Sequence, residues 1–92
     1  MTVTRINQFK AAPQQEDALY DFLHSLIPYI TASEGNQGCE VLRHHEAKDS
    51  FVVVEKWDSV DAHQASIKGF PEDKMMAAMP LFGAPPQGDY YT

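Results

Sequence analysis

EGNQGCEVLRHHEAKDSFVVVEKWDSVDAHQAS, residues 34–66, sets the topology of the whole chain. It reads as a helix end, a Gly-punctuated loop, a strand, a charged turn, a buried strand and a capped helix start. Residues 39–45 and 51–57 are two β-type runs, with only the five residues EAKDS between them. That spacing closes an antiparallel hairpin and is too short for a parallel crossover. Phe51-Val52-Val53-Val54-Glu55-Lys56-Trp57 carries three consecutive valines, so neither of its faces suits water and it is expected to be a central strand. Asp58 and Ser59 then offer side-chain oxygens to the free N–H groups of a helix starting near Val60.

Upstream, residues 3–9 are short and β-rich and form the first strand. Pro13 suits the first turn of a helix, with Glu16 and Asp17 where the helix dipole favours negative charge. Leu19, Phe22, Leu23, Leu26, Ile27 and Ile30 recur as one apolar stripe of an amphipathic helix. Pro28 falls inside that stripe and is expected to kink its last turn, and Gly35 offers a left-handed cap beyond it. Downstream, the second helix is interrupted by Gly69-Phe70-Pro71 and resumes over 72–79, where Met75, Met76 and Met79 share a face. Residues 81–87 read as a loop and 88–92 as a short final strand.

The order β-α-β-β-α-β is the α+β, ferredoxin-like split motif: a four-stranded antiparallel sheet with both helices on one face. A chain of 92 residues has no third layer to cover the other face, so a second subunit is its simplest cover. Composition points the same way, to one domain spanning 1–92. The single cysteine, Cys39, rules out an internal disulfide framework and suits a reducing, cytoplasmic setting. There is no apolar run of membrane-spanning length and no signal-peptide core in residues 1–10. Seven basic against thirteen acidic residues give a net charge of −6, which argues against nucleic-acid or anionic-membrane partners.

Ser25-Leu26-Ile27-Pro28, Glu34-Gly35 through Gly38-Cys39, and the strand from Phe51 to Trp57 followed by Asp58-Ser59 resemble the antibiotic biosynthesis monooxygenase (ABM) family. The resemblance covers nearly the whole chain and is densest from 35 to 62. It implies the dimeric α+β barrel fold and a homodimer. It does not select one activity, because family members include cofactor-free quinol or anthrone oxygenases, a sugar-phosphate isomerase, haem-degrading enzymes and proteins without a known reaction. The expected function is a cofactor-independent monooxygenase acting on a small aromatic, quinol- or anthrone-like molecule. The alternative is a non-catalytic dimeric module that binds a small apolar molecule or serves assembly.

Each candidate site residue has a plain structural reading beside its chemical one. Asn7, on the first strand, matches the place where resembling oxygenases aim a polar group at the substrate, and a carboxamide there stabilises a developing oxyanion. It also reads as a solvent-facing strand residue. Trp57 is either an aromatic pocket wall or a core residue closing the sheet. His63 offers a general base of near-neutral pKa, although a partly exposed polar residue is the favoured reading. The family's histidine is expected nine residues after the tryptophan, and that position here is Ser66. Met76, with Met75 and Met79, is either core filler or the apolar lip of a pocket.

No metal and no cofactor is expected. His44 and His45 are adjacent on a strand and point to opposite faces. The resembling haem degraders pair a first-strand Asn with a Trp and an axial His on the second helix, and residues 72–79 contain no His. Glu55, a carboxylate in an apolar strand, is expected to pair with Arg43 or Arg5.

Overall fold

The computed structural model describes residues 2–92. Strands β1 (Val3–Lys10), β2 (Asn36–Arg43), β3 (Ser50–Trp57) and β4 (Gln87–Tyr91) form one antiparallel sheet in the order β2-β3-β1-β4. Helices α1 (Glu16–Ser25) and α2 (Ile27–Ala32) join β1 to β2. Helices α3 (Val60–Lys68) and α4 (Glu72–Ala78), with a 3-10 turn at Met79–Leu81, join β3 to β4. This is the ferredoxin-like order expected from sequence, and the valine-rich strand is central.

Alternation along the strands sorts side chains between two faces. On β3, Phe51, Val53, Glu55 and Trp57 are buried, whereas Val52 and Val54 are half-buried and Lys56 is exposed. Register places Val3, Arg5, Asn7 and Phe9 of β1 beside Trp57, Glu55, Val53 and Phe51, on the same, helix-covered face. Leu19 and Leu23 of α1 pack there with Ala11, Phe51 and Val53 to form the core. The opposite face carries Ile6, Leu42, Val52, Val54 and Tyr91, and Leu42 and Tyr91 are both about half exposed.

Two prolines act differently from expectation. Pro13 lies outside α1: the Gln15 N–H donates to the Ala12 carbonyl at 2.9 Å, and Gln14 takes φ +68°. A proline second in a turn with positive φ third is the type II pattern, so Pro13 shapes a turn that delivers the chain to the helix. Pro28 does more than kink the stripe. It sits in the first turn of a new helix, and the break falls at Leu26, because a proline lacks the N–H that would continue α1. Gly35 does take the left-handed conformation, at φ +87°. Ser59 caps α3 as expected, its side chain accepting from the Ala62 N–H at 3.1 Å.

Candidate active site

A cavity of about 510 Å³ lies between the helix-covered face of the sheet and the helices. Its floor is β1 and β3, through Arg5, Asn7, Phe9, Val53 and Glu55. One side is Leu26 at the helix break with Tyr29 and Ile30 of α2, and the other is His63, Ser66 and Ile67 of α3. Met75 of α4, with Phe70, Phe82 and Pro86, forms the rim of this open-mouthed cavity. The break before Pro28 therefore has a use: it redirects the helix so that Tyr29 reaches across, its hydroxyl donating to the Ser66 carbonyl at 2.8 Å. The volume lies within the usual range for small-molecule sites, and the walls are mostly apolar, with Lys68 and Glu72 towards the α3–α4 side and one polar stripe on the inner surface.

That stripe is Arg5, Asn7, Glu55 and His63. Asn7 and Arg5 are two residues apart on one strand, so both point inward. The Asn7 Oδ1 is enclosed and has no hydrogen-bond partner. Glu55 is 6% exposed, and its Oε1 accepts from the Trp57 Nε1–H at 2.9 Å. Burial pushes its carboxyl pKa up, while the Trp57 hydrogen bond and the nearby Arg5 charge act against that rise. Glu55 forms neither of the ion pairs among the described residues: Arg43 pairs with Asp17 at 3.3 Å and Lys10 with Asp49 at 4.0 Å. The expected Arg43–Glu55 pairing is therefore corrected, because Arg43 turns back to the start of α1 and over the Phe51 ring.

His63 is buried, at 5% exposure, where a partly exposed residue was expected. Its Nδ1 is 2.6 Å from the Tyr90 hydroxyl, and its ring packs edge-on against Trp57 and Tyr90. Burial first, and then the Arg5 charge, lower its pKa to about 4. At neutral pH the imidazole is uncharged, and the near-neutral pKa assumed for a free histidine does not hold here.

Trp57 is fully buried and does not line the cavity; it backs the wall by holding Glu55 and packing on His63. Ser66 lines the cavity, but its hydroxyl donates to the His63 carbonyl one turn back, at 2.7 Å. Met76 is 68% exposed and absent from the lining, where Met75 stands instead. The restart at Pro71 sets the phase of α4, and one residue along a helix turns the side chain about 100° away. Tyr29 and Tyr90 were not singled out from sequence, and Arg5 was named only as a partner for Glu55. Alternation from Asn7 reaches Arg5, but Tyr90 needs the β1–β4 register. His44 serves the hairpin turn, its Nδ1 accepting from the N–H groups of Glu46 and Ala47. Among the described residues, no three His, Cys, Asp or Glu gather as a metal site. No helix among them is long and apolar enough to cross a membrane.

Solved structures share this architecture end to end. Rv0793 from Mycobacterium tuberculosis matches with a TM-score of 0.85 at 19% identity, covering 100% of this chain and 94% of that one. NE2512 from Nitrosomonas europaea, a protein of unknown function, matches at 0.84 with 26% identity, over 98% and 86% of the two chains. A mutant of SnoaB, a cofactor-independent oxygenase from Streptomyces nogalater, matches at 0.81 with 17% identity, over 99% and 91%. No curated protein matches the chain. The sequence pattern of the Antibiotic biosynthesis monooxygenase family matches residues 2–69, from the first strand through α3. By that match and the shared fold, the chain belongs to the antibiotic biosynthesis monooxygenase family.

Proposed function

We propose that this protein is a cofactor-independent monooxygenase of a small aromatic, quinol- or anthrone-like substrate, acting as a homodimer in the cytoplasm. The observation that carries the reading is the cavity itself: an apolar, ring-sized space whose one polar stripe holds an unpartnered carboxamide oxygen beside two buried titratable groups. For an anthrone the balance closes with dioxygen alone. A ring methylene loses a proton to a base on the wall, and the carbanion supplies the electrons that reduce dioxygen. A carbon–oxygen bond forms to give a peroxide, and loss of water leaves the ketone. The protein contributes a water-poor space, a proton acceptor and hydrogen bonds to the charged intermediate.

In this scheme the Asn7 side-chain N–H donates to the charged substrate oxygen, while its Oδ1, which the fold leaves unpaired, is free to accept from a substrate hydroxyl. His63 and Glu55 form the proton-accepting wall. Glu55 is the stronger base, since burial raises its carboxyl pKa whereas it lowers that of His63. His63, uncharged and held on Tyr90, supplies a fixed hydrogen-bonding ring. Met75, rather than Met76, provides the flexible apolar wall.

One observation favours the alternative, a binding module without catalysis. Ser66 occupies the family's histidine position and spends its hydroxyl on its own helix, so it supplies no base. Oxygen consumption with a panel of quinols and anthrones, followed by mass spectrometry under labelled dioxygen, separates the two readings. The oxygenase incorporates one labelled oxygen per ketone formed, and Ser66→His raises its rate by adding an imidazole to the wall. No uptake above the uncatalysed rate, by either the wild type or Ser66→His, rejects the oxygenase and leaves the module.

A further inference from the structure

Arg5 is the cation on the cavity floor, distinct from Lys68 at the end of α3, which also lines the cavity, and the reaction outlined above leaves Arg5 without a task. Its Nε is buried with no hydrogen-bond partner, and its guanidinium enters neither ion pair among the described residues. Glu55 stands directly across from it on β3, near enough for the Arg5 charge to act on its carboxyl, but the two form no ion pair, and Glu55 Oε1 accepts from Trp57. The guanidinium lies instead over β4, on a seat that the sequence provides. A Cβ at Gly88 would fall 2.2 Å from Nη2 and 2.5 Å from Cζ, so any larger residue would push the guanidinium off this seat. Tyr90, the register partner of Arg5, presents its ring 4.8 Å from Cζ. A glycine backbone and an aromatic face position a guanidinium without pairing its N–H donors. A half-buried, positioned guanidinium on the cavity floor calls for an oxyanion from the ligand, which its planar fork of donors matches.

We propose that Arg5 is the anion-recognition residue of the cavity, and that its ligand is an apolar ring compound bearing a planar oxyanion, either a carboxylate or an acidic enol or phenol. The proposal rests on the cavity being the substrate site and narrows the substrate class from aromatic to acidic aromatic. Asn7, two residues along, leaves a bare acceptor beside the Arg5 donors, which fits a hydroxyl next to the anionic oxygen.

Isothermal titration calorimetry with two matched pairs tests this without any turnover. The first pair is 2-naphthoate and its neutral isostere 2-naphthamide. The second is 2-hydroxy-1,4-naphthoquinone, an enolate at neutral pH, and its methyl ether. At least one anion is expected to bind about ten- to a hundredfold tighter than its neutral partner, the range of a charge-assisted hydrogen bond. Whichever pair shows the preference identifies the oxyanion as carboxylate or enolate. Arg5→Gln removes the preference, and Arg5→Lys, which keeps the charge without the fork, retains part of it. The wild-type comparison stands even where a variant fails to fold. Equal affinity within both pairs, no binding of any of the four, or a preference that survives in folded Arg5→Gln overturns the proposal. Anion preference without oxygen uptake removes the oxygenase and leaves this site. Quinol oxidation undiminished in Arg5→Gln, with no anion preference, does the reverse.

Discussion

The Asn7 Oδ1 and the His63 ring are both enclosed polar groups, but the fold treats them differently, and that difference separates function from stability. The Asn7 Oδ1 has no partner in the protein, so removing it breaks no internal hydrogen bond. Asn7→Ala is therefore expected to leave the melting temperature unchanged or slightly raised, because an enclosed unpaired acceptor is itself a cost. Loss of an oxyanion-directed amide typically costs a hundred- to thousandfold in rate, so oxygen uptake should fall by about that range. A large drop in melting temperature, or an unchanged rate, would contradict this assignment. His63 shows its burial through pH. Its native pKa of about 4 lies below the ordinary 6.5, so between those values the unfolded chain takes up a proton that the native state refuses. Its contribution is whole above pH 6.5 and falls as pH drops toward 4. Glu55 runs oppositely, since a raised carboxyl pKa favours the native state on the acid side, and Arg5 and Tyr90 also face the imidazole. Urea unfolding at pH 7 and 4.5 isolates the His63 part when wild type is compared with His63→Gln: the wild type loses more stability between the two than the variant does. At this scale the place of Asn7 on the first strand was legible, but strand alternation leaves open which of two directions its side chain takes. Burial of His63 was not legible, because it depends on Tyr90 arriving from a strand 27 residues later. Nor was the Arg5 seat on Gly88, which exists only once β4 is placed beside β1.

Elements were more legible than side chains, because hairpin spacing, helical periodicity and capping are local signals. The loop from α2 to β2 shows how far such signals reach. A glycine after an apolar stripe marks a left-handed residue, and Gly35 takes φ +87° there. What no pattern displays is its packing: a Cβ at Gly35 would lie 2.7 Å from the Cβ of Ala62, on the first turn of α3. The glycine thus serves both the turn and the close approach of α3, which carries His63 and Ser66. Gly35→Ala combines left-handed strain with overpacking, and is expected to destabilise by about 2–4 kcal/mol. Ser59→Ala, which removes only the cap of the same helix, should cost about 1 kcal/mol. Chemical denaturation of the two variants checks the order, and a Gly35→Ala chain as stable as Ser59→Ala would show that α3 yields at little cost. Pro13 and Pro28 mark the limit of local reading. A proline announces that a helix starts or stops nearby, but whether it leads a helix, turns before it or splits it depends on where the next side chain finds a partner.

For the whole molecule, the decisive surface is the sheet face that no helix covers. Ile6 lies beside Val54 across the β1–β3 pair, and Val52 lies beside Leu42 across β2–β3, giving a continuous apolar centre with Tyr91 at its edge. Thr4, Gln8, Lys10, Glu40, Lys56 and Asp89 share that face around it. An apolar centre within a polar rim is the anatomy of a protein interface. Two copies stacked sheet to sheet would close both open faces at once, because a two-fold contact presents the same patch from each side. Sedimentation equilibrium is therefore expected to give a dimer at micromolar concentration. Val54→Asp, placing a charge at the centre of the patch, should shift it to monomer and lower the denaturation midpoint with it, since an uncovered face weakens the fold. The cavity lies on the other side of the sheet, so the coupling is testable: Val54→Asp should lose ligand binding only in proportion to the fraction unfolded. A wild-type chain that stays a folded monomer at that concentration would leave the apolar centre of the sheet facing water and would refute this assembly.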